Sequence, residues 1–102
     1  MEQERKMLKK KIEKIVKENK AVLTKQFKVK EIGIFGSVVR GEDTETSDVD
    51  ILVEFDEPIG LFKFLELEEY LSDLIGRKVD LVSKKALKPR IGKHILKEVA
   101  FL

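Results

Sequence analysis

The chain has 102 residues, 42% hydrophobic and 39% charged, with a formal net charge of +2 and no cysteine. That length bounds it to one domain with a modest core, and the charge content lies far above the ~25% of an average soluble protein. Disulfides and thiolate metal sites are excluded, no apolar run approaches the ~20 residues of a membrane span, and the small net charge demands no nucleic-acid partner.

In chain order, residues 3–26 read as one helix. Leu8, Ile12, Ile15, Val16 and Leu23 recur at helical spacings as a single apolar stripe on a charged cylinder. Residues 29–35 (VKEIGIF) predict a short strand that runs into Gly36-Ser37, and SVVRG starts a helix behind that turn. The polar segment GEDTETS, 41–47, predicts an exposed loop. Residues 48–55 (DVDILVEF) form a second strand, with Val49, Ile51, Val53 and Phe55 on one face and Asp48, Asp50, Leu52 and Glu54 on the other.

Pro58 and Gly60 end that strand, and a helix follows over 61–75 with Leu61, Phe64, Leu65, Leu67, Leu71, Leu74 and Ile75 as its apolar positions. Phe62, Phe64 and Tyr70 fall at core-like positions of the same helix. Gly76 suits a left-handed helix end. Residues 78–82 (KVDLV) predict a third strand with Asp80 opposite Val79 and Leu81, and Pro89 opens a last helix over 89–99. The order α-β-α-β-α-β-α suggests a small sheet packed by helices, α/β or α+β. So thin a sheet, with the apolar stripe on the first helix, leaves room for a homodimer or hetero-oligomer that covers part of it.

Chemistry concentrates at Gly36-Ser37 and, after ten intervening residues, at Asp48-Val49-Asp50. Alternation along a strand sends Asp48 and Asp50 to the same side, roughly 7 Å apart. Carboxylates held that close call for a cation between them, and a hard divalent ion such as Mg²⁺ suits oxygen donors. Asp80 lies in a short apolar strand, where Asp is disfavoured; it reads either as a solvated edge residue or as a third ligand for one or two metal ions. A Gly-Ser turn beside them offers N–H groups and a hydroxyl to phosphate. Each element alone is weak, and a Gly-Ser pair or an Asp-x-Asp more often marks a turn or a solvated strand end. Together they point to phosphoryl or nucleotidyl transfer.

The string GIFGSVVRGEDTETSDVDILVEF resembles the core of the minimal nucleotidyltransferases in the DNA polymerase β-like superfamily, matching their Gly-Ser-x10-Asp-x-Asp signature. KVDLV resembles the strand that carries the family's third carboxylate. The resemblance spans about residues 28–100 as the core, with the N-terminal helix, 1–26, outside it, in a single nucleotidyltransferase domain over 1–102. It implies an α+β polymerase β-like fold with a small mixed sheet. Asp48 and Asp50 would hold a pair of Mg²⁺ ions, with Asp80 as general base or further ligand. Gly36 and Ser37 would bind the β- and γ-phosphates of ATP. Arg40, one turn on, would reach the triphosphate, unless it pairs instead with the acidic loop that follows it. Short members resemble antitoxins paired with a HEPN-domain toxin, on which they place AMP at a tyrosine. The competing expectation is a binding module that neutralises its partner by occlusion, its nucleotide site vestigial.

Other features point less far. The Lys/Glu-rich, amide-poor composition is of the kind found in hyperthermophiles, and the polar N-terminus MEQERKMLKKK with no cysteine suggests a cytoplasmic protein. His94 stands without a second nitrogen ligand and reads as a surface side chain. The run from Arg5 to Lys20 carries eight Lys/Arg against two Glu. It reads as the solvated face of an amphipathic helix before it reads as an RNA contact.

Overall fold

The N-terminal periodicity resolves into two helices rather than one. In the computed structural model, which describes residues 2–102 and the side chains from Leu8 onward, α1 (Glu2–Glu18) stops at Asn19 and α2 (Lys20–Phe27) begins after it. The break follows from the competition an Asn side chain offers to helical backbone bonds. Asn19 Nδ2 donates to the Ile15 carbonyl at 2.8 Å, and its Oδ1 accepts from the Tyr70 hydroxyl at 3.0 Å. α2 ends at Lys28, left-handed at φ 58°.

The strands are β1 (Val29–Phe35), β2 (Val49–Phe55), β3 (Val79–Ser83) and a short fourth, β4 (Ala100–Phe101), ordered β3-β2-β1-β4. β1 is antiparallel to both β2 and β4, whereas β2 and β3 are parallel. The sheet is therefore mixed and the fold α+β. Parallel neighbours need a crossover, supplied here by α4 (Leu61–Ile75). β4 escapes sequence reading because two residues carry no alternation; pairing of Ile34 with Ala100 and Gly33 with Phe101 creates it. Asp48 falls one residue before β2, not inside it as the alternation suggested.

The core is assembled from Ile12, Val16, Leu23 and Phe27 of the first two helices, Ile34, Ile51 and Val53 of the sheet, and Leu67, Leu71 and Ile75 of α4. Those last three, at four-residue steps, set the buried face of α4. That face corrects the reading of its first turns: Leu61, Phe62 and Leu65 are 69%, 88% and 46% exposed. Phe64 and Tyr70 do pack, Phe64 edge-on to Phe55 at 6.3 Å and Tyr70 beside Phe27 at 5.5 Å between centroids. Among the described residues the buried core takes no side chain from α5 (Pro89–Glu98), and no helix is long and apolar enough to cross a membrane.

Candidate active site

β1 delivers the chain into a conformation that only glycine tolerates. Gly36 sits at φ 77°, ψ −149°, and immediately begins the four-residue helix α3 (Ser37–Arg40). A Cβ at Gly36 would collide with Asp50 Oδ2. The reason is register: Phe35 pairs directly with Asp50 across β1 and β2, so the residue after Phe35 passes over the carboxylate. The Gly-Ser turn and the Asp-x-Asp pair thus meet at one end of the sheet.

On the other flank of β2, Asp50 pairs in register with Asp80 of β3. The Val49 N–H donates to the Lys78 carbonyl at 2.9 Å, continuing the ladder back to Asp48. Burial pushes the Asp50 carboxyl above its ordinary value of 3.8, and the negative charges of Asp80 and Asp48 push it the same way, with Arg40 partly opposing them. Asp48 and Asp80 are exposed, and Lys78 Nζ approaches Asp48 Oδ2 to 3.9 Å.

Among the described residues no three His, Cys, Asp or Glu side chains converge on a metal position as they stand. The donor chemistry nevertheless fits a hard divalent cation. All three candidates are carboxylates, and two of them, Asp50 and Asp80, stand at paired positions of neighbouring parallel strands.

Arg40 is engaged on both sides. Its Nε lies 3.3 Å from Glu42 Oε2, the acidic-loop partner foreseen as the competitor to a phosphate role. Its Nη1 lies 3.0 and 3.1 Å from the two oxygens of Glu98, which also accepts the Gly36 N–H at 2.6 Å. Hydrogen bonds to Glu98 and then Glu42 raise Arg40 further above its ordinary value.

Two residues of this site carry no sequence signal. Glu98 lies 62 positions from Gly36 in an unremarkable KEVAFL tail. Arg77, just past α4, clamps the loop before Asp48: Nη2 donates to the carbonyls of Thr44 and, at 2.7 Å, Ser47. Its Nη1 faces Asp43 Oδ2 at 3.8 Å. That Asp43 carboxylate is only 7% exposed and its Oδ1 has no hydrogen-bond partner among the described residues. The loop predicted as solvent-exposed is therefore anchored at Asp43. His94 is exposed on α5, and the lysines from Lys10 to Lys20 are exposed along α1 and α2; the Arg5 and Lys6 side chains lie outside the described residues.

A nucleotidyltransferase domain model matches residues 6–102. Protein adenylyltransferase MntA of Thermococcus cleftensis is 55% identical over 91 residues, which span 89% of this chain and 92% of that protein. A solved structure described as a candidate minimal nucleotidyltransferase superposes with a TM-score of 0.76 at 34% identity, covering 96% of this chain and 95% of that one. A mutant form of the toxin–antitoxin complex MntA–HpeT superposes with a TM-score of 0.67 at 26% identity, over 92% of this chain and 70% of that one.

Proposed function

Because this chain belongs to the nucleotidyltransferase domain family, we propose that it transfers AMP from ATP to a tyrosine hydroxyl of a HEPN-type toxin and so acts as that toxin's antitoxin. The observation that carries this is the passage of Gly36 over Asp50. It sets the backbone N–H groups of the Gly-Ser turn beside the carboxylates at one end of the sheet, an arrangement suited to attack at a nucleotide's α-phosphate.

In this reading Gly36 and Ser37 hold the β- and γ-phosphates, with Arg40 as a cationic donor to the same groups. Asp48 and Asp50 would hold Mg²⁺, which when bound would neutralise the phosphates and lower the barrier to attack. The exposed Asp80 accepts the proton of the incoming hydroxyl. The oxygen bonds to the α-phosphorus in line with the departing bridging oxygen, and pyrophosphate leaves. The rigid pairing of β1, β2 and β3 fixes the donors and the carboxylates relative to each other before substrate arrives.

The antitoxin role itself rests on likeness to MntA and to the MntA–HpeT complex. One observation favours occlusion as a competing account: Leu61, Phe62 and Leu65 leave an apolar face of α4 in solvent. The test is incubation with Mg²⁺, labelled ATP and the product of the adjacent gene. Label on a partner tyrosine, absent with Asp48→Asn/Asp50→Asn, supports the enzyme. A stable, silenced complex without label supports occlusion.

A further inference from the structure

The Gly36 N–H and the Arg40 guanidinium are the donors assigned above to the triphosphate. In this structure they converge on a single protein carboxylate. Glu98 Oε2 accepts from the Gly36 N–H at 2.6 Å and from Arg40 Nη1 at 3.1 Å, while Oε1 accepts from the same Nη1 at 3.0 Å. An anionic, two-oxygen acceptor gathering a backbone amide and an arginine presents what a phosphate would present. One N–H directs one strong bond, and a carboxylate repels a phosphate at that distance. The two anions cannot share the Gly36 N–H, and each draws on the same Arg40 charge.

The anchorage of Glu98 decides what moves. Its backbone ends α5, where the Val99 N–H donates to the Ile95 carbonyl at 2.9 Å. The next residues pair with β1, and the Leu102 N–H donates to the Ile32 carbonyl at 2.9 Å. Gly33 sits close under Val99 and the Ala100 carbonyl, with no room there for a side chain on β1. The main chain at Glu98 is thus tied to the strand that carries Gly36. The side chain is held by its bonds to the Gly36 N–H and Arg40 and is open to solvent on one side, 28% exposed beside an Arg40 that is 47% exposed. Rotation of Glu98 into solvent clears the donors without unfolding any element.

We propose that Glu98 is an internal competitor for the nucleotide's β- and γ-phosphates: it holds the Gly36 and Arg40 donors, is displaced when the triphosphate binds, and so sets the affinity for ATP. This rests on the nucleotidyltransferase reading and deepens it. A binding-competent form populated at about a tenth weakens apparent affinity about tenfold, and neutralising Glu98 recovers that factor. The competition concerns only the outer phosphates, so AMP, which lacks them, is indifferent to Glu98. A residue that merely braced α5 against β1 would not distinguish AMP from a triphosphate.

The test is calorimetric titration of the full-length protein, with Mg²⁺ present, using AMP-PNP, inorganic triphosphate and AMP against wild type, Glu98→Gln and Glu98→Ala. The expected result is a dissociation constant for AMP-PNP and triphosphate lowered about five- to tenfold in both variants, with AMP unchanged. In the wild type, the NMR signals of the Gly36 amide and the Glu98 carboxyl should both move on saturation with triphosphate. Unchanged or weaker triphosphate binding in soluble variants would overturn the competition and leave the enzyme reading intact. So would a static Glu98 carboxyl signal in a saturated wild type, a measurement independent of how the variants fold. If neither wild type nor variants bound AMP-PNP, the nucleotidyltransferase reading would fall, and this inference with it.

Discussion

Gly36→Ala should cost two separable amounts. The first is backbone strain: φ 77°, ψ −149° lies in a region open essentially to glycine alone, and holding another residue there costs on the order of 1–3 kcal/mol. The second is collision, because the new Cβ would overlap Asp50 Oδ2 and lie 3.0 Å from Asp50 Cγ. Moving the half-buried Asp50 off its position costs about 1–1.5 kcal/mol, the scale of an off-rotamer side chain. The sum is about 2–4.5 kcal/mol, which for a domain of this size lowers the melting temperature by roughly 10–35 °C at 4–8 °C per kcal/mol. Asp50→Ala removes both overlapping atoms and leaves Cβ, 3.3 Å away. A double-mutant cycle followed by thermal unfolding should therefore show a favourable coupling of about 1 kcal/mol. Strict additivity would refute the claim that Gly36 is required because of Asp50. A Gly36→Ala protein as stable as wild type would refute the strain argument as well.

The raised Asp50 pKa gives a pH dependence of known sign. The folded state holds that proton more tightly than the unfolded chain, so Asp50 contributes stability at low pH that is lost as pH rises through its folded pKa, above the ordinary 3.8. At neutral pH Asp50→Asn should accordingly melt higher than wild type while losing transfer activity, and added Mg²⁺ should stabilise wild type more than the variant. Leu71→Ala, at a fully buried position, should lose about 2–5 kcal/mol in denaturant titration. Arg77→Ala strips the donor from Thr44 and Ser47 and leaves Asp43 buried without its cation. It should cost about 2–4 kcal/mol and lower turnover by loosening Asp48; wild-type turnover would sink that role. Phe62→Ser, at a side chain 88% exposed, should change stability by less than about 0.5 kcal/mol. If that face meets the partner, pull-down should weaken with transfer to free tyrosine unaffected.

Local pattern determined most of the elements. β1 and α4 fall where alternation and four-residue apolar spacing place them, because those signals need only nearest neighbours along the chain. The glycine after α4 likewise declares its left-handed turn locally, at φ 77°. The motif spacing joined Gly36, Ser37, Asp48 and Asp50 in one hypothesis, and the pairing of Phe35 with Asp50 sets Gly36 against the Asp50 carboxylate.

What only the tertiary structure decided is every contact between distant segments. Asn19 breaks the first helix with Tyr70, from α4, seated on its side chain. Leu61, Phe62 and Leu65 stay in solvent because Leu67, Leu71 and Ile75 claim the buried face. Arg77 reaches back to the loop before Asp48, and Glu98 reaches 62 residues back to Gly36. A carboxylate in a helical tail has no periodicity to betray its target. Its contacts exist only once β4 pairs with β1 and fixes the end of α5 beside Gly36 and Arg40.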